Sequence, residues 1–238
     1  MTGTSLTFVL AHGAWYGAWA WDKVAEPLRH TGHTVYAPTL TGLGDRAEQL
    51  TPDVGLSTHV ADVVELLRER DLAEVVLVGH SYAGFVARAA ADAEPQRIRQ
   101  LILVDAWVGA DGESMFDRAP QWFTEAMSTF ARRDGRRIPP PAPEQFGVHD
   151  PDEVAWLRAR LSAQPLRSFV EPTRLTGSVD HIDTHAITMT PGNGMPFTEW
   201  ARAFGWPVTH IASGHDVMTT APTELVGELL AAAESTDS

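Results

Sequence analysis

Cysteine is absent from all 238 residues. Disulfides, thiolate metal sites and cysteine nucleophiles are excluded together, so covalent catalysis would have to use another side chain. Basic residues are scarce: Lys+Arg 18 against Asp+Glu 31 gives a formal net charge of -13. A surface of that sign repels phosphate backbones and anionic lipids, so neither nucleic acid nor a membrane is expected as a partner. No apolar run approaches the roughly 18 residues of a spanning helix. Met1 to Trp21 contain no Lys, Arg, Asp or Glu, but a basic start is missing and His12, Gly13 and Gly17 interrupt the apolar stretch. A signal peptide is therefore not expected, and the reading is cytoplasmic. With 44% hydrophobic and 21% charged residues the chain can bury a sizeable core, and its length suits one domain with an insertion.

Short β-rich runs recur at Leu6 to Ala11, Thr34 to Pro38, Val75 to Val78, Ile98 to Asp105, Ala186 to Met189 and Val208 to Ile211. Each is too short for a helix and is bounded by turn residues. Between the second and third run, Val60, Val63, Val64 and Leu67 have helical spacing, with Ser57 as the expected N-cap. Helices are also expected from the Ala-rich run after Ser81 to Glu94 and from Glu224 to Ala233. Strands alternating with helices imply an α/β fold with a mainly parallel sheet flanked by helices.

The rhythm breaks after the strand ending at Asp105. From about Val108 to Val179 strand signals vanish and aromatics scatter among helical segments. This predicts a helical cap at 108–178 inserted into a core made of 1–107 and 179–238. Arg132 to Asp152 contain Pro139, Pro140, Pro141 and Pro143, too many for one helix, and read as a mobile connector. Trp107, Trp122 and Phe123 stand where such an insertion would cover the carboxyl ends of the strands, and are expected to touch substrate.

The segment EVVLVGHSYAG, Glu74 to Gly84, runs from a buried strand through Gly-His-Ser into a helix, the pattern of a nucleophile elbow. Ala83 stands where the G-x-S-x-G pattern has its last glycine. Ser81 is the expected nucleophile. Its base has to come from a loop over the same sheet edge, and among ten histidines His215 follows the last strand in Ser-Gly-His-Asp. The loop Thr190 to Met195 offers no carboxylate, which leaves Asp105, at the end of the strand after the nucleophile strand, as the expected acid; Asp180, Asp183 and Asn193 are the alternatives. Backbone N–H groups of Ala14 and Tyr82 are expected to form the oxyanion hole. Gly42, Gly44 and Ala47 match a dinucleotide pattern that the first strand does not support, and His181, Asp183 and His185 make a poor metal set. Neither cofactor nor metal is expected.

HGAWYGAWAW at His12 to Trp21, APTLTGLGDR at Ala37 to Arg46, GHSYAG at Gly79 to Gly84 and SGHDVM at Ser213 to Met218 together resemble the α/β-hydrolases. The likeness is closest to the plant methylesterase and hydroxynitrile lyase group and its bacterial esterase relatives. It implies the α/β-hydrolase fold, with serine, histidine and oxyanion roles on Ser81, His215, Ala14 and Tyr82. Hydroxynitrile lyases carry Thr at the position of Gly13 and Lys at that of Asp216, so the resemblance points to ester hydrolysis. The expected activity is that of a serine carboxylester hydrolase working through an acyl-enzyme on a small to medium hydrophobic or aromatic ester. Lactonase, hydroxynitrile lyase, cofactor-independent oxygenase and a noncatalytic ligand receptor remain alternatives, and a homodimer is left open.

Overall fold

The computed structural model describes residues 5–133, 136–192 and 194–234. Six strands form one parallel sheet: β1 Thr7–Ala11, β2 Thr34–Tyr36, β3 Val75–His80, β4 Ile98–Val104, β7 Thr184–Met189 and β8 Val208–Ile211. Their order is β2-β1-β3-β4-β7-β8. The order reverses between β1 and β3, and the loops leaving the carboxyl ends of these two neighbours frame the crevice where open α/β sheets bind ligands.

Alternation along each strand divides the interior into two cores. Val9, Ala11, Val75, Leu77, Leu101 and Leu103 face one side; Phe8, Leu10, Val76, Val78, Ile102 and Val104 face the other. Helices α2 Leu56–Glu69 and α3 Ala83–Ala93 pack together, and α1 Asp22–His30 packs against α10 Pro222–Glu234. Both faces are thus covered, as near-continuous Val/Ile/Leu strands require. None of the described helices is long and apolar enough to cross a membrane.

Several local details depart from expectation. Helix α2 begins at Leu56, so Ser57 is not its N-cap. Instead Glu171, just after the helix Arg167–Val170, accepts from the Ser57 N–H at 3.2 Å and hydroxyl at 2.8 Å, a tertiary carboxylate doing the work of a helix cap. β3 runs on to His80, because Gly79 and His80 still pair with Leu103 and Val104. Strand structure also occurs where none was expected: β5 Arg137–Ile138 and β6 Gln164–Pro165 form an antiparallel ladder too short to leave a period. Around it lie α4 Met115–Arg118, α5 Gln121–Arg133, α6 Pro151–Arg158 and α7 Arg167–Val170. Two further short helices, α8 Phe197–Ala203 and α9 Val217–Thr220, belong to the loops after β7 and β8.

The turn from β3 into α3 is a close crossing of strand and helix. A Cβ on Gly79 would lie 2.6 Å from the Ala83 carbonyl oxygen, and one on Gly84 would lie 2.2 Å from that of Trp107. This explains the shifted glycine: the position pressed against the end of β4 is 84, while Ala83 fits where the pattern usually has Gly. Gly84→Ala should therefore cost about 1 to 3 kcal/mol or more of stability by overpacking. Gly227→Ala, at an exposed helical site with nothing within 4 Å, should gain roughly 0.5 to 1 kcal/mol. Urea unfolding of the two variants checks the contrast; equal effects would contradict the crossing geometry.

Candidate active site

Ser81 occupies the tip of the β3–α3 turn with φ +54. A left-handed backbone costs a non-glycine residue about 1 to 3 kcal/mol, so it persists only where neighbours hold it. Here the Ser81 N–H donates to Val104 O at 3.1 Å, and the Ser81 carbonyl accepts from the N–H groups of Gly84 and Trp107, both at 3.0 Å. Asp105, at the end of the adjacent β4, is also left-handed, with φ +43. Its N–H donates to Ile187 O at 2.7 Å and its Oδ1 accepts from the Met189 N–H at 3.2 Å, which fixes the carboxylate against β7.

Between these two residues stands His215, on the loop after β8. His215 Nδ1–H donates to Asp105 Oδ2 at 2.6 Å, and the Ser81 hydroxyl donates to His215 Nε2 at 2.9 Å. All three are buried. The alternative acids lie elsewhere: Asp180 pairs with Arg88 at 3.1 Å, and Asp183 is exposed at the opposite, entry end of β7. Asn193 lies outside the described residues.

The imidazole of His215 is wedged between aromatics that sequence reading missed. Phe197 stacks on it at 5.7 Å, Phe146 approaches from another side at 5.7 Å, and His80 lies 4.8 Å away. Phe146 belongs to the segment read as a mobile connector. That expectation is corrected by the contacts: the Asp216 N–H donates to Phe146 O at 3.0 Å, and a Cβ on Gly147, at φ +86, would lie 2.6 Å from the Gly214 Cα. Two glycines let these two chain segments touch backbone to backbone, and only the pairing of Gly147 with Gly214 could have hinted at it.

Three more histidines lie buried behind the site. Burial holds His12 and His59 down to about 4 and pushes His80 well below the usual imidazole range. The neutral forms of His12 and His59 are fully used. His12 Nδ1–H donates to Gly13 O at 2.8 Å while Nε2 accepts from the Leu40 N–H; His59 Nε2–H donates to Thr41 O at 2.9 Å while Nδ1 accepts the Tyr82 hydroxyl proton. His80 Nε2–H donates to the His215 carbonyl at 2.9 Å, anchoring the backbone of that loop. Asp216 turns away from the site and accepts from the Tyr16 hydroxyl at 2.8 Å, its carboxyl raised by burial.

Ser81, His215 and Ala14 open onto a cavity of ≈ 240 Å³. Trp107, Trp122 and Phe123 all border it, as do Trp15, Met115, Met127, Phe146 and Met195, which sequence reasoning did not pick out. Among the described residues, Gln145 is the only polar residue in its wall apart from Ser81 and His215. The Ala14 and Tyr82 N–H groups make no hydrogen bond within the described residues. A larger depression, ≈ 690 Å³, lies near Asp53 and Arg167 and contains none of these groups. Among the described residues no cluster of three His, Asp or Glu could hold a metal, His181, Asp183 and His185 included.

This chain belongs to the alpha/beta hydrolase family, whose model matches residues 8–228. It is 34% identical over 239 residues to the carbendazim hydrolyzing esterase of Nocardioides sp. (strain SG-4G), a match covering 94% of this chain and 98% of that protein. A 103-residue stretch is 35% identical to Methylesterase 7 of Arabidopsis thaliana, covering 42% of this chain and 40% of the plant protein. Among solved structures, an extracellular alpha/beta-hydrolase from a Paenibacillus species, described as sharing structural and functional homology with tobacco salicylic acid binding protein 2, superposes with a TM-score of 0.86 at 25% identity, over 96% of this chain and 98% of that one.

The buried histidines make stability depend on pH. With folded values near 4 against 6.5 unfolded, the unfolded chain takes up protons that the folded chain refuses. Their contribution is complete above about pH 6.5 and is lost as pH falls toward about 4, up to about 3 kcal/mol for each of His12 and His59. Asp216 acts in the opposite sense, contributing at low pH and losing that contribution as pH rises through its raised folded value. Three histidines outweigh one carboxyl, so the thermal midpoint should fall between pH 6.5 and pH 4. A midpoint constant over that window, by calorimetry, would contradict the buried neutral imidazoles.

Proposed function

We propose that this chain is a serine carboxylester hydrolase in which Ser81 attacks the ester carbonyl, His215 takes the hydroxyl proton and returns it to the leaving alcohol, and Asp105 fixes the histidine tautomer. The observation that carries this is the unbroken Ser81–His215–Asp105 relay opening on an apolar cavity. The tetrahedral oxyanion is met by the N–H groups of Ala14 and Tyr82. Water then enters by the same base and releases the acyl group from Ser81. The kinship with a carbendazim-hydrolyzing esterase and a plant methylesterase supports hydrolysis at a carboxyl derivative. Against cyanohydrin cleavage stands Gly13: a Cβ there would lie 2.9 Å from His80 Nδ1 and 3.1 Å from the Ser81 Cβ, so no side chain projects toward the nucleophile.

The wall predicts the substrate. Aromatic rings and methionine sulfurs favour a neutral ester with an aryl or branched apolar group, and no charged side chain but the base is there to receive an ionic one. Residues 108–178 act in this reading as a cap that supplies most of that wall, while the reacting groups stay on the sheet.

Chromogenic aryl esters should give a burst of alcohol, and a fluorophosphonate should label Ser81; a folded protein showing neither overturns the assignment. Asp105→Asn should lower kcat by up to about 10⁴, because His215 loses its orienting partner, while Asp180→Asn stays near wild type. Crippled Asp180→Asn with active Asp105→Asn would reverse the choice of acid. Trp122 is 59% exposed although it borders the cavity, whereas Phe123 is buried against Trp107 at 5.3 Å. Trp122→Ala should thus shift the ranking of bulky against small esters by roughly 1 to 3 kcal/mol without a drop in thermal midpoint, and Phe123→Ala should lower both. Uniform losses across an acetate, butyrate and aryl series would make the pair structural.

A further inference from the structure

Trp15, directly after Ala14, has φ +71. A bulky residue does not hold a left-handed backbone unaided. Its supports all come from the cap: the Trp15 N–H donates to Gln164 Oε1 at 2.9 Å, its carbonyl accepts from the Ser162 N–H at 2.9 Å, and its indole Nε1–H donates to Ile138 O at 3.0 Å. The backbone turn that presents the Ala14 N–H to Ser81 is therefore held from outside the sheet.

Gln164 does more than accept one bond. It is fully buried, and its Nε2 donates to Ser168 Oγ at 2.7 Å, while the Ser168 hydroxyl donates to Pro165 O at 2.7 Å. Phe169, next in the chain, lies 5.8 Å from the Trp15 ring and 5.7 Å from the Tyr82 ring. From Tyr82 the hydroxyl donates to His59, His59 donates to Thr41 O, the neighbouring Leu40 N–H donates to His12, and His12 donates to Gly13 O. The Gly13 carbonyl and the Ala14 N–H belong to one planar peptide, so His12 orients that N–H through its far side. Hydrogen bonds together with the Phe169 ring contact thus link both residues expected to carry the oxyanion donors, and Gln164 is the point at which the cap joins them.

We propose that Gln164 is a positioning residue for the oxyanion hole: its carboxamide holds the left-handed Trp15 backbone and, through the Ser168–Phe169 turn whose phenyl ring packs on Tyr82, the Tyr82 side chain, and so keeps the Ala14 and Tyr82 N–H groups at the separation a tetrahedral oxyanion needs. The inference rests on the esterase reading. Gln164 touches no reacting atom, and its effect is on transition-state binding.

The test uses Gln164→Met, which keeps the side chain's length and removes both hydrogen bonds, assayed beside wild type on an aryl ester and with an aryl trifluoromethyl ketone, whose hemiketal with Ser81 fills the oxyanion hole. Loss of a fully formed oxyanion donor costs about 10² to 10³ in kcat, and a displaced pair should lose about 10- to 100-fold. Expected is that loss in kcat, KM within threefold of wild type, and a ketone Ki raised by a matching factor. Ser168→Ala, which deprives the Gln164 amide of its acceptor, should show the same pattern at about 3- to 10-fold and keeps the inference testable if Gln164→Met does not fold. A folded Gln164→Met with wild-type kcat and Ki, a rise confined to KM, or Ser168→Ala at wild-type values overturns the proposal. Absence of turnover in wild type would instead overturn the esterase reading, so the two failures are told apart.

Discussion

Everything at the candidate site depends on the close crossing of β3 and α3. Because Gly79 and Gly84 have no side chains, the helix starts immediately beyond the strand and its first turn presses against the end of β4. The serine between them is forced to φ +54 and lifted clear of the sheet edge. The same contact brings Ser81 into hydrogen-bonding register with Val104 and Trp107, so Ser81 and the strand that ends at Asp105 are set by one piece of backbone geometry. A left-handed serine beside a left-handed aspartate is a strained pair, maintained by hydrogen bonds to β7 and β4 that the rest of the sheet makes rigid.

The histidine that joins them is positioned differently. His215 sits on a loop, and loops hold side chains less exactly than strands do. Its precision comes from packing: Phe197 stacks on one face, Phe146 leans on another, His80 holds its carbonyl and the Gly147–Gly214 contact locks its approach. Phe146 and Gly147 therefore act as a buttress for the His215 loop, and a wall of the cavity falls into place as a by-product.

Buried polar groups behind the site follow one economy of protons. His12 and His59 each donate once and accept once, which only the neutral imidazole can do. Burial that would be ruinous for a charged ring is tolerable for a neutral, fully bonded one, and the depressed titration is the sign of it. In this way the fold uses histidine as a rigid two-ended connector in one place and sets it between Ser81 and Asp105 in another, with the surroundings deciding which.

The sequence alone determined what local pattern can carry. Six short aliphatic runs gave the strands, the Gly-His-Ser turn between a strand and a helix marked Ser81, and chain order with the composition of the loop after β7 led to His215 and Asp105. These features are legible because each is written in consecutive residues with a steric or periodic rule behind it. Tertiary structure alone decided the rest. The cap of α2 by Glu171, the β5–β6 ladder, the stacking of Phe146 and Phe197 on His215, and the tie from Gln164 to Trp15 all join residues from separate parts of the chain. A phenylalanine in an aperiodic, proline-rich stretch has the same local signature whether it packs a core, faces solvent or braces a catalytic loop. Only long-range contact distinguishes these fates, because burial and hydrogen-bond partners are properties of the assembled neighbours and leave no period in the residues themselves.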